Sequence, residues 1–166
     1  MLRVIFDTNI YGLLLEEKDA SDIERKITQD KDFIVYGYGP IRKELRDIPK
    51  ITKLSRRARK LLLEMYDRIT GNHFLENLLK ITILAKKYYN HYRNLGGIYN
   101  WNTSISVDFM IVACASFNGL DIVYSGDDRT MLAKNAIKSY NHINIKENLR
   151  TPGFLGYEDL INKYRN

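Results

Sequence analysis

Four acidic residues, Asp7, Glu44, Asp108 and Asp127, stand in settings where a carboxylate would be placed for chemistry rather than for solubility. Asp7 directly follows the apolar run Val4-Ile5-Phe6, and Asp127 comes three residues after Tyr124, the end of a second β-rich run that starts at Leu120. Glu44 is one residue from the stripe Ile41, Leu45 and Ile48, which turns it toward the boundary of the interior. Asp108 is the only charged residue between Ile105 and Leu120, in a segment apolar nearly all round. A carboxylate left unpaired there would cost several kcal/mol unless it is protonated or compensated by a cation. Its place in a helix's first turn recovers only about 0.3–1 kcal/mol.

Each residue also has an ordinary reading. Asp7 could cap the helix after it, Glu44 could pair with Arg42 or Lys43 across a turn, and Asp127 or Asp128 could be a turn residue before a helix over 130–136. Their convergence would be another matter. Two carboxylates about 4 Å apart repel by roughly 4 kcal/mol at an effective dielectric near 20, so a gathered set of four requires a positive charge among them. An all-oxygen donor set suits Mg²⁺ or Mn²⁺, and the three histidines, His73, His91 and His142, lie outside the acidic segments, which argues against zinc. A metal held in this way activates a bound water and neutralises charge on a phosphate, the requirements of phosphodiester hydrolysis.

The elements that must position these groups are legible as alternating strands and helices. Val4-Ile5-Phe6, Phe33-Ile34-Val35-Tyr36 and 120–124 read as strands, and Ile143-Asn144-Ile145 as a weaker one. Helices are expected after Asp7, from the capping-box pattern Ser21-Asp22-Ile23-Glu24 to about Asp30, after Gly39-Pro40 until Pro49, and from Ser104 to Asn118 with Gly119 as the stop. A helical segment over about 52–101, interrupted at Gly71-Asn72 and ended by Asn94-Leu95-Gly96-Gly97, completes the pattern. Such alternation predicts an α/β fold with a mainly parallel central sheet covered by helices on both faces, and no repeat or linker divides residues 1–166. In such sheets the loops at the carboxyl edge carry function, which is where Asp7 and Asp127 fall.

At 166 residues, 45% hydrophobic and 28% charged, the composition is that of one folded domain. No run approaches the roughly 18 apolar residues of a membrane span, and no signal-peptide pattern opens the chain, so no membrane contact and a cytoplasmic location are expected. The lone Cys114, in an apolar run, reads as a core residue. The net charge of +6 suits a polyanion such as RNA without identifying one.

In chain order, Val4-Ile5-Phe6-Asp7-Thr8-Asn9, Arg42-Lys43-Glu44-Leu45, Val107-Asp108-Phe109-Met110-Ile111-Val112-Ala113 and Ile122-Val123-Tyr124-Ser125-Gly126-Asp127 resemble the four acidic motifs of PIN domains, over residues 2 to about 146. The resemblance implies a PIN-like three-layer α/β/α fold and a Mg²⁺- or Mn²⁺-dependent endoribonuclease. It further suggests the toxin of a type II toxin–antitoxin pair, similar to VapC-like toxins, with an antitoxin protein and a homodimer as expected partners. By the same resemblance Asp7, Glu44, Asp108 and Asp127 become metal ligands and Asn9 and Ser125 polar supports, while the adjoining Asp128 leaves the register of the fourth ligand open.

Lys53, Arg56, Arg57 and Arg59 form a basic run able to neutralise phosphates, and Tyr92 and Arg93 belong to a segment that interleaves cations with rings on which bases could stack. Two other functions compete. A haloacid-dehalogenase-type phosphatase needs an acid two residues after its first aspartate, where this chain has Asn9, and an amide cannot deliver that proton. A non-catalytic PIN-like module binding RNA or protein would have little reason to keep four mutually repelling carboxylates.

Overall fold

A computed structural model describes residues 1–48, 53–102 and 105–165, with the backbone alone at 53 and 54. The chain runs β1 (Leu2–Phe6), α1 (Thr8–Glu16), α2 (Ala20–Gln29), β2 (Phe33–Tyr38), α3 (Gly39–Asp47), α4 (Lys53–Thr70), β3 (Phe74–Leu75), α5 (Leu79–Asn94), α6 (Ile105–Phe117), β4 (Ile122–Tyr124), α7 (Lys134–Lys146), β5 (Gly153–Leu155) and α8 (Tyr157–Tyr164). The strands form one sheet in the order β3-β2-β1-β4-β5, and every pairing is parallel.

From β1 the chain steps outward in one direction to β2 and β3, then returns past β1 and continues the other way through β4 to β5. Parallel crossovers are right-handed, so the reversal sends the two sets of connecting helices to opposite faces. The helices α1, α2, α3 and α4 pack among themselves on one side, and α5, α6 and α7 on the other. This is the expected three-layer α/β/α arrangement with a parallel sheet. Val4, Ile5 and Phe6 of central β1 are fully buried, as a strand covered on both faces must be. Phe6 meets Tyr11, Phe33 and Tyr124, while Phe109 meets Tyr89, Tyr92 and Tyr140 in the helical layer opposite.

Helix boundaries follow local chemistry. Pro40 lies in the first turn of α3, where its missing N–H is no loss. After α6, Leu120 N–H donates to Ala115 O at 2.9 Å and Gly119 N–H to Ser116 O at 3.2 Å, with Gly119 at φ +61°, the double closure that left-handed glycine permits. No helix among the described residues is long and apolar enough to cross a membrane. Cys114 is buried, and Pro49 and Ser104, expected as helix boundaries, lie outside the described residues.

Three local expectations are corrected. The segment Ile143-Asn144-Ile145 is helical, inside α7, and not a strand. Its β-branched alternation is overridden because Asn144 is buried and bonded to Tyr88, to Ser116 at 3.0 Å and to Thr151 at 2.9 Å, while Ile145 stays exposed. The outer strand is instead β5, which pairs Gly153, Phe154 and Leu155 with Ile122, Val123 and Tyr124. The capping box at Ser21 does not form, because α2 begins at Ala20 and Glu24 turns away to pair with Arg68 of α4.

Gly119 offers a direct check on the α6 closure. An added Cβ would meet nothing within 4 Å, so Gly119→Ala carries only the backbone penalty of the left-handed region. We expect it to lower stability by about 1 kcal/mol, read as a lower urea midpoint at unchanged slope.

Candidate active site

The strands β1 and β4 flank the point where the strand order reverses, and Phe6 pairs with Tyr124. Asp7 and Ser125 therefore leave neighbouring parallel strands side by side at the carboxyl edge, and Asp7 N–H continues the ladder to Tyr124 O at 2.9 Å. Glu44 is carried by α3, which starts at that same edge of β2. Helix α6 leads back to β4, so its first turn, with Asp108, comes to this edge as well.

Asp7 begins α1, but its Oδ1 accepts from the adjacent Thr8 N–H at 2.6 Å rather than from an N–H further into the helix. Its Oδ2 accepts from Asn9 Nδ2 at 2.8 Å and from Ser125 Oγ at 2.7 Å. Ser125, fully buried, also accepts from Asp127 N–H at 3.0 Å, and Asn9 Oδ1 accepts from Gly126 N–H at 3.2 Å. Two side chains from the β1 end thus clamp the loop after β4.

Asp127 is both turn residue and site residue. Its Oδ1 accepts from the N–H groups of Arg129 at 2.9 Å and Thr130 at 3.0 Å, and its Oδ2 accepts from Thr130 Oγ at 2.7 Å. Thr130 Oγ also contacts Asp108 Oδ2. Asp128 is exposed, so the fourth carboxylate of the cluster is Asp127. Glu44, half-buried, accepts from Thr8 Oγ at 2.5 Å. A chain of hydroxyls therefore connects all four acids, Glu44 through Thr8 to Asp7, Asp7 through Ser125 to the Asp127 backbone, and Asp127 through Thr130 to Asp108.

The electrostatics follow from burial and proximity. Asp7 and Asp108 are only 4% and 6% exposed. Burial, opposed by the Ser125 and Thr8 bonds and reinforced by the charges of Glu44 and Asp127, pushes Asp7 up to about 6. Burial, then the charge of Asp7, push Asp108 up to about 8, with Asp127 and Glu44 adding to the rise and the Thr130 bond opposing it. Glu44 is also raised, chiefly by burial. The ion pairs among the described residues all engage other acids, so no Lys or Arg neutralises this cluster. Thr130 has one hydroxyl hydrogen for two carboxyl groups, and the neutral form of Asp108 supplies the second.

An oxygen-only set of this kind suits a hard divalent cation, and Asp7, Glu44, Asp108 and Asp127 are the residues that could hold it. In the present side-chain arrangement no three acidic, histidine or cysteine side chains among the described residues form a ready cage. The carboxyl groups are spaced by hydroxyls, as metal-free acids that repel one another would be.

Thr8 and Thr130, both central here, were not singled out from the sequence. Thr130 had a readable signal, since a threonine three residues after an aspartate can share its turn. Thr8 had only its place beside Asp7. Among the residues expected to contact RNA, Arg56 and Arg57 are exposed on α4, and the side chain of Lys53 lies outside the described residues. Arg59 donates to Arg46 O at 3.2 Å, bracing the end of α3. Tyr92 is corrected to a core residue, 3% exposed and edge-on to Phe109, with no face left for a base. Arg93 donates to Tyr99 O at 3.2 Å and holds the loop after α5.

Raised carboxyl values carry a definite pH signature. The folded protein retains protons at Asp7 and Asp108 that the unfolded chain has released, so stability is highest below the ordinary carboxylate range near 4 and falls as pH rises through about 6 and about 8. In chelator-treated protein we expect the urea midpoint to drop between pH 5 and 8.5, and Asp108→Asn to remove the upper part of that drop. Parallel profiles for the two proteins would contradict the buried, mutually raised pair.

Compared with models of known protein families and with curated proteins, the chain matches none.

Proposed function

We propose that this chain is a metal-dependent endoribonuclease of the PIN type, hydrolysing RNA phosphodiester bonds at the carboxyl edge of β1 and β4. The observation that carries the reading is the meeting of Asp7, Glu44, Asp108 and Asp127, from four separate elements, with no cationic side chain among them in the described residues. Stability alone would favour hydrophobic residues or a matched ion pair in such a place, so a cluster of unmatched acids is better explained by a cation that comes and goes with function.

Mg²⁺ or Mn²⁺ bound among these oxygens would supply an activated water and charge neutralisation at the phosphate. The chain's own contribution is orientation. Ser125 and Asn9 direct Asp7 Oδ2, Thr8 holds Glu44, and Thr130 holds Asp127 and Asp108. Such supports fix the rotamers of charged ligands, and their loss typically costs 10- to 100-fold in metal affinity or activity. Asp108 has a second role as proton store, since at neutral pH it is held protonated when the crevice lacks a cation.

On single-stranded and structured RNA, wild type is expected to cleave with Mg²⁺ or Mn²⁺ and to stop with chelator, while Asp7→Asn and Asp108→Asn are inactive under all conditions. Equal cleavage by the three proteins, or cleavage indifferent to chelation, discards the reading in favour of a binding module. Thr130→Val is expected to weaken Mn²⁺-induced thermal stabilisation by about 10- to 100-fold in apparent affinity, with Thr130→Ser restoring it. A valine variant that responds to Mn²⁺ like wild type would show that the hydroxyl bridge plays no part.

A further inference from the structure

Beside the acidic cluster lies a groove of about 670 Å³ lined by Gly39, Pro40, Lys43, Glu44, Asp47, Ile48, Asn77, Val107 and Met110. Its walls are two helix faces. Positions 40, 43, 44 and 47 of α3 recur at the spacing of one helical stripe, and 107 and 110 of α6 are three apart. Each helix therefore turns one side chain to the acidic crevice and neighbouring ones to the groove: Asp108 sits between Val107 and Met110 in α6, and Glu44 borders both spaces.

We infer that this groove is a nucleobase subsite, holding an unpaired base of the RNA next to the phosphate at the acidic cluster; the inference rests on the nuclease reading. Pro40, Val107 and Met110 supply partly open apolar surface of the kind that meets the face of a base. Asn77 supplies an edge contact of fixed polarity. Its Oδ1 accepts from Tyr38 O–H at 2.8 Å, which leaves the Nδ2 hydrogens as donors. Tyr38 is itself anchored, with its N–H donating to Tyr66 O at 2.7 Å, so the amide is held by the sheet end rather than by a mobile loop. Arg42 and Arg46 are engaged by Asp67 and Asp47, and Lys43 is the basic residue of α3 that borders the groove, where it can meet the next phosphate. Glu44 and Asp47 make the floor unsuitable for a phosphate itself. A base carries no charge and can donate its amino hydrogens to those carboxylates. A segment of RNA laid with its phosphate at the cluster thus has an adjoining space of matching character, and a base stacked in such a place contributes about tenfold or more in affinity.

The test uses a short single-stranded RNA of mixed sequence in Ca²⁺, compared with the same RNA carrying an abasic nucleotide at each position in turn. Anisotropy titrations with wild type are expected to show one position at which base removal weakens binding about tenfold. Two variants outside the acidic cluster probe the groove: Gly39→Leu, where an added Cβ meets nothing within 4 Å, should fill it, and Met110→Ala should remove one wall. Both are expected to abolish the abasic difference while circular dichroism and urea midpoints show them folded. Equal binding of all the RNAs by wild type, no binding at all, or an abasic difference that survives in both variants overturns the subsite. So does a groove that serves protein instead, recognised when the variants change sedimentation but not the RNA profile. Cleavage assays on the same RNAs separate the two readings. Cleavage without base discrimination removes the subsite alone, and base discrimination without metal-dependent cleavage removes the nuclease alone.

Discussion

Repulsion among four carboxyl groups in one crevice is the constraint around which the rest of this molecule is organised. Bringing Asp7, Glu44, Asp108 and Asp127 together without a matching cation opposes folding, and the raised Asp7 and Asp108 record how strongly burial and mutual charge disfavour the ionised state. The fold tolerates this because hydroxyls and backbone N–H groups occupy most of the carboxyl oxygens. The hydroxyls of Thr8, Ser125 and Thr130 each reach an acidic partner from the cluster. An apolar crevice of the same shape would be more stable and could do nothing with a phosphate.

The sheet makes the meeting possible. The reversal of strand order beside β1 opens a space between the ends of β1 and β4, and the parallel direction of every strand puts all the loops that follow them on one edge. One layer supplies Glu44, from α3, and the other supplies Asp108, from α6. Rigid support comes from the residues beneath. Tyr140, fully buried, donates to Met131 O at 3.0 Å, just beyond Thr130, and Phe109, the residue after Asp108, lies edge-on to both Tyr140 and Tyr92. The tyrosines that looked like a surface for bases are thus part of the platform that fixes the loop and helix of the acidic site.

The groove beside Glu44 has a related origin. A helix that sends Asp108 inward in its first turn must turn Val107 and Met110 elsewhere, and α3 approaches close enough to shelter them without closing over them. The same periodicity that delivers a carboxylate to the crevice leaves an apolar wall next to it. Specificity and chemistry can then be divided between adjacent faces of the same two helices.

The sequence by itself determined the alternation of strand and helix, the parallel sheet, the placement of Asp7 and Asp127 at strand ends, and the anomaly of Asp108 in an apolar helix. These are local signals, since period, turn chemistry and one misplaced charge can be read within a dozen residues. It named the four acids that converge, though their convergence could only be supposed from chain order. Tertiary structure decided that Asp127 and not Asp128 faces the crevice, that Thr8 and Thr130 bridge the acids, and that Tyr92 is core. It also decided that Ile143 to Ile145 join a helix while Gly153 to Leu155 form the outer strand. The reason is common to all of these. Each depends on which partner a side chain or backbone group meets across the fold, as Asn144 meets Tyr88 and Ser116, and such partners lie tens of residues away along the chain.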